Sequence, residues 1–217
     1  MRPPFTLDLY LVTDRELCRA RGIETVVAEA VAGGATMVQL RDDDTPDADL
    51  VAIARGLVAL LAPTRVPLIV NNRIAIATAA GAAGVHVGQS DEPADRVRAR
   101  LGPAAIVGLS ITEAAQLDAV PAGAVDYLGV GPVFATPTKP DAAPPLGLAG
   151  LAEIRARTPL PIVAIGGLDR TNAVSAIAAG ADGVAVVSAV CAAASPETAA
   201  RELAELVQAA RREREGS

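Results

Sequence analysis

The chain has 217 residues, a formal net charge of −6 and a sequence pI near 4.9, so it lacks the basic surface that nucleic-acid binding requires. No apolar run reaches the roughly 18 residues of a membrane span, and the opening MRPPFTLDLY has no signal-peptide core. The expectation is a cytoplasmic protein with neither nucleic acid nor membrane as partner; a homo-oligomer is left open.

Hydrophobic residues make up 51% of the chain and aromatics only 2%, so the core must be built from Ala, Val, Leu and Ile. Such residues suit packed parallel strands and the helices that cover them. In chain order, strand patterns fall at 7–13, 37–41, 67–71, 84–88, 106–110, 127–131, 161–166 and 183–188. Amphipathic stretches such as Ile23–Ala32, Asp47–Leu61 and 171–179 lie between them. Eight strand–helix units of about 27 residues predict a (β/α)8 TIM barrel over 1–217 as a single domain. An open doubly wound sheet is the alternative. The segments AGGATMV, AGAAGVHV, AGAVDYLGV and AGADGVAVV form a weak repeat that enters the second, fourth, sixth and eighth strands. The charge-dense end, 211–217, is open to reading as a disordered tail. Cys18 and Cys191 lack metal-ligand spacing and read as small buried hydrophobes.

In such barrels the chemistry sits where strands end. Polar residues or glycines stand at nearly every such point, among them Asp14, Gln39, Arg41, Asn71, Asn72, Gln89, Asp91, Ser110, Gly166, Gly167 and Ser188. Gln39 and Arg41 share one face of their strand, and an inward arginine fits phosphate oxygens. The competing reading pairs Arg41 with Asp42, Asp43 or Asp44. The proline-rich GPVFATPTKPDAAPPLG carries Thr136, Thr138 and Lys139, the only lysine beside 18 arginines. Two hydroxyls and an ammonium suit phosphate. Gly166–Gly167 and Val187–Ser188, after the seventh and eighth strands, fit the phosphate site usual in barrels. Asp91 and Asn72 offer oxygens for Mg²⁺; a helix N-cap is the alternative role for Asp91. His86, the only histidine, is expected to hydrogen-bond in the core.

QLRD at 39–42, VNNR at 70–73, HVGQSD at 86–91, GLS at 108–110, GPVFATPTK at 131–139 and AIGG at 164–167 occur in this order with barrel spacing. Together they resemble the thiamine phosphate synthase family. That resemblance implies a transferase of thiamine biosynthesis that joins a pyrimidine-methyl diphosphate to a thiazole phosphate, with Mg²⁺ as cofactor. It implies that Gln39, Arg41, Asn71, Ser110 and Lys139 hold the pyrimidine diphosphate, with Arg41, Ser110 and Lys139 the catalytic groups. Thr136, Thr138, Gly167, Val187 and Ser188 would hold the thiazole phosphate, and Asp91 the metal. Two positions depart from the family pattern: Asp43 stands where a lysine is usual, and Asn72 where a metal-binding aspartate is usual. The sister thiazole tautomerase shares the barrel, but uses a histidine after the sixth strand where this chain has Pro132. That isomerase, or a non-catalytic binder of thiazole phosphate, is the alternative function.

Overall fold

The computed structural model describes residues 4–138 and 142–216. The apolar runs form strands β1 (Leu9–Val12), β2 (Met37–Leu40), β3 (Leu68–Asn71), β4 (Gly84–Val87), β5 (Ile106–Ile111), β6 (Tyr127–Val130), β7 (Ile162–Ile165) and β8 (Gly183–Val186). All neighbours pair in parallel, and β8 returns to β1 through Leu9↔Val184 and Tyr10↔Ala185. This is a closed (β/α)8 TIM barrel and not the open sheet.

Alternation sorts each strand's side chains into two cores. Leu11, Val38, Val70 and Leu128 point outward against the helices. Tyr10, Met37, Ile69, Ile106, Tyr127 and Val163 fill the barrel itself. Around the strands run α1 (Arg15–Cys18), α2 (Ile23–Ala32), α3 (Asp47–Leu61), α4 (Ile74–Ala80), α5 (Ala94–Leu101), α6 (Gly147–Arg157), α7 (Ala173–Ala178), α8 (Ser188–Cys191) and α9 (Pro196–Glu215). Helices α2 and α3 match the predicted stretches. The crossover after β5 is a 3-10 segment, Ala114–Ala119, and not an α-helix. There the chain is short and stops at Pro121, whose ring cannot continue a helix. Within the stretch read as a possible tail, α9 continues to Glu215, tied by Arg211 to Asp8 and by Arg214 to Asp182. Cys18 and Cys191 are buried and free.

The repeat has a structural role at the end of the barrel opposite the mouth. Thr36, Asp126 and Asp182 each stand just before an even-numbered strand and accept a backbone N–H from the first or second residue of the preceding odd-numbered one. The bonds run from Leu9 to Thr36 Oγ1 (3.2 Å), from Val107 to Asp126 Oδ2 (2.8 Å) and from Ile162 to Asp182 Oδ2 (2.8 Å). Arg98 and Arg155 meet the two carboxylates at 2.6 and 3.2 Å.

Candidate active site

At the C-terminal ends of the strands the barrel opens into a cavity of about 730 Å³. Its floor is a chain of buried polar groups. Gln39 Nε2 donates to Tyr10 Oη (2.8 Å), Tyr10 Oη meets Tyr127 Oη (2.9 Å), Tyr127 Oη meets His86 Nδ1 (3.0 Å), and His86 Nε2 meets Ser110 Oγ (2.9 Å). Five strands contribute one residue each. Glycines make the room: a Cβ on Gly108 would stand 2.2 Å from Tyr127 Cζ, and one on Gly129 2.8 Å from His86 Cε1. Burial pushes the His86 imidazolium down to a pKa of about 4, so the ring is neutral near pH 7. Burial likewise raises both phenols, which keep their protons.

On one side of the floor stand Arg41, Asn71, Asn72 and Asp91. Among the described residues Arg41 makes no ion pair with Asp42, Asp43 or Asp44. Asp42 is engaged elsewhere: its carboxylate accepts the N–H groups of Asp44 and Thr45 and the Thr45 hydroxyl. Burial of that carboxylate works against ionisation, but these hydrogen bonds win and lower its pKa. Arg73 secures the same loop through the Thr45 carbonyl (2.8 Å) and an ion pair with Asp47. Asn72 lies in the left-handed region at φ 54°, which asparagine tolerates. Its amide nitrogen, oriented toward the available acceptors, donates to Asp91 Oδ2 (2.7 Å) and to the His86 carbonyl (3.3 Å). The same Asp91 oxygen accepts the Gly88 N–H at 2.6 Å. Asp91 is not a helix N-cap, since α5 begins at Ala94 behind Pro93.

No group of three or more His, Cys, Asp or Glu suited to a metal occurs among the described residues. Asp91 and the two amides Asn71 and Asn72 are the donors beside β3 and β4, and Asp43, after Arg41, also lines the cavity. Mg²⁺ commonly takes one or two carboxylates, with water and substrate phosphate completing its shell. Asp91 fits such a site, provided the substrate supplies the rest. Asn72, with its amide nitrogen on Asp91, serves as the holder of that carboxylate.

Across the cavity lie Thr136, Thr138, Gly166, Gly167, Val187 and Ser188. Gly166 and Gly167 have φ of 96° and 63°, and side chains there would stand 2.5 Å from Pro132 Cα and from the Ala135 carbonyl. Only glycine lets the loop after β7 approach the loop after β6 so closely. That second loop is pinned by the Val133 and Phe134 N–H groups on the Ile165 and Gly166 carbonyls. Asn172 caps the Gly167 carbonyl at 2.8 Å. Lys139 lies outside the described residues.

A model of the family described as thiamine monophosphate synthase matches residues 9–190. The chain belongs to this family. A thiamine-phosphate synthase of Xanthobacter autotrophicus is 56% identical over 97% of this chain and all of the relative. One from Azorhizobium caulinodans is 49% identical over 98% of this chain, again covering the whole relative. Among solved structures, the thiamine phosphate pyrophosphorylase of Pyrococcus furiosus superposes with a TM-score of 0.85 at 33% identity, covering 94% of this chain and 96% of that one. These likenesses favour a thiamine-phosphate synthase, a transferase of thiamine biosynthesis, over the tautomerase and the non-catalytic binder.

Gln39, Arg41, Asn71, Asn72, Asp91, Ser110, Thr136, Thr138, Gly167, Val187 and Ser188 all line the one cavity. Tyr10 and Tyr127 went unrecognised as polar members of the floor. Their one signal was position, since each faces inward on a strand. Arg73 and Gln89 also escaped notice as holders of backbone; Gln89 Nε2 donates to the Ser110 carbonyl at 2.7 Å.

Proposed function

We propose that this cavity aligns a pyrimidine-methyl diphosphate with a thiazole phosphate and couples them into thiamine phosphate. The observation that carries the reading is two anion-receptive corners on one mouth. Arg41 stands at one, with Asp91 beside it as the carboxylate that would hold a cation against the anion, and the Gly166–Gly167 and Val187–Ser188 turns stand at the other, with polar groups fit for a heterocycle between them. The carbon–oxygen bond to diphosphate breaks with its electron pair leaving on the diphosphate. The thiazole nitrogen then gives its lone pair to the methylene carbon. Arg41 supports the leaving charge; Gln39, Asn71 and Ser110 orient the pyrimidine, and the opposite corner holds the thiazole phosphate. Lys139 is assigned to the diphosphate by the family resemblance. Mg²⁺ would be held by Asp91 and the diphosphate, and when bound it would neutralise part of the leaving charge.

The Ser110–His86 contact has the outline of a nucleophile–base pair. Its imidazole is a weak base at a pKa of about 4, and Nδ1 faces the Tyr127 phenol instead of a carboxylate. That disfavours covalent catalysis and agrees with a reaction driven by charge stabilisation. Phosphorylated substrates do not cross membranes unaided, which supports the cytoplasm as the place of the reaction.

The test is formation of thiamine phosphate from the two substrates with saturating Mg²⁺. Arg41→Ala should lower kcat/KM by roughly 10- to 150-fold, the value of a charged contact. Isomerisation of the thiazole phosphate with no coupling would instead favour the tautomerase reading.

A further inference from the structure

We propose that Gln39, Tyr10, Tyr127, His86 and Ser110 form a proton-ordered relay, in which the Gln39 amide sets the tautomer of His86 and so presents Ser110 to the substrate ring as a hydrogen-bond donor. The assignment to a pyrimidine ring rests on the function proposed above; the relay does not.

The direction of the chain follows from a count of hydrogens. Each phenol has one proton, and a neutral imidazole has one N–H and one bare nitrogen, so the chain must point one way along its length. Gln39 Nε2 faces Tyr10 Oη at 2.8 Å and can only donate. Tyr10 therefore spends its proton on Tyr127, 2.9 Å away, and Tyr127 spends its own on His86 Nδ1 at 3.0 Å. The imidazole is left with its proton on Nε2, which it gives to Ser110 Oγ at 2.9 Å. The Ser110 proton remains for the cavity. In the reverse order Tyr10 Oη would face two donors, while its own proton had no acceptor among the described residues. Buried, that is an unmade hydrogen bond. The whole chain thus turns on which end of residue 39 faces Tyr10.

Two glycines show that the strands accommodate this chain. Cβ atoms on Gly108 would reach Tyr127 Oη and His86 Nδ1 at 2.4 Å each, and one on Gly129 would crowd the ring from the other side. Tyr10, Tyr127 and His86 are positioning residues here, acting on the substrate through Ser110. A ring nitrogen bears a lone pair and suits a hydroxyl donor; a carbon at the same place would forfeit the bond.

His86 is the only histidine in the chain, so two-bond ¹H–¹⁵N correlation in uniformly labelled full-length protein reads its tautomer without resonance assignment or substrate. The proton is expected on Nε2 near pH 8; a proton on Nδ1 would overturn the proposed order. This reading needs no variant. Gln39→Glu puts an acceptor at the head of the chain and should move the proton to Nδ1 once the new carboxyl is ionised, as its ¹³C shift reports. An unmoved tautomer would overturn the coupling. Adding Tyr127→Phe to Gln39→Glu should abolish the response; a persistent response would show that the relay is not its path. In turnover, Gln39→Glu should raise KM for the pyrimidine diphosphate at least tenfold and leave KM for the thiazole phosphate unchanged. Equal rises in both would overturn the link to the pyrimidine. If the wild type makes no thiamine phosphate, the proposed function fails and the tautomer results still judge the relay.

Discussion

Asn72 and His86 are adjacent through backbone, yet they govern different properties. Asn72 neutralises nothing; it ties down Asp91 with an amide N–H at 2.7 Å. Asn72→Asp keeps a side chain that tolerates φ 54° but sets two carboxylates face to face. Without metal their repulsion should lower the melting temperature, by an interaction of about 1–4 kcal/mol for charges near 4 Å apart. With Mg²⁺ the order reverses, and calorimetry should show roughly tenfold tighter metal binding, about 1.4 kcal/mol. Unchanged Mg²⁺ affinity would place the metal away from Asp91. His86 contributes to acid sensitivity. Burial lowers its pKa from 6.5 to about 4, so between those values the unfolded chain binds a proton that the folded chain refuses. Stability is complete above pH 6.5 and falls as pH drops through that window, by about 3 kcal/mol from this group. His86→Gln, which cannot titrate, should flatten denaturant-derived stability between pH 6.5 and 4; an unaltered slope would assign the acid sensitivity elsewhere.

At the scale of strands and turns, the two ends of the barrel divide the labour. Asp126 sits at the far end from the mouth, its side chain 4% exposed, against Arg98 at 14%. Asp126→Ala would strip the Val107 N–H of its acceptor and leave a mostly buried guanidinium without its carboxylate. A loss of about 3 kcal/mol follows, visible as a lower denaturation midpoint. Below the melting range kcat should stay at the wild-type value, and a fallen kcat would show that the two ends are coupled. Much of this organisation was legible in the chain. Short continuous apolar runs gave the strands because inner and outer faces are both buried, and the polar residues that interrupt them gave the mouth. The repeat itself was visible, but the purpose of the residue before β2, β6 and β8 was not, since Thr36 and Asp126 share only a side-chain oxygen and β4 has Ala83 at that place. Tyr10 and Tyr127 read as apolar filling because their hydroxyl partners come from other strands. The crossover after β5 was misread because an Ala-rich stretch has helical propensity, whereas Pro121 and the short span decide the outcome.

For the whole molecule the decisive contact is the seam where β8 meets β1, because a barrel with one open pair loses the closure on which every strand depends. The last helix, α9, packs on α2 and α7, and its final turns reach both sides of that seam. Arg211 pairs with Asp8, just ahead of β1. Arg214 binds the Ala181 carbonyl at 2.6 Å and Asp182 at 3.2 Å, just ahead of β8. These are partly buried groups that bridge the first and last strands, unlike the exposed Arg201–Glu197 pair on the same helix, which should contribute little. Deleting 211–217 removes both bridges and the last helical turns. A cost of about 2 kcal/mol is expected from the lost charged hydrogen bonds, or roughly 4–8 °C in Tm for a chain of this size. Because the seam is held at the end opposite the cavity, kcat/KM at 25 °C should not change. Scanning calorimetry beside the coupling assay separates the possibilities: an unchanged Tm would make the terminal turns dispensable to closure, and lost activity at an unchanged Tm would mean that they act on the mouth.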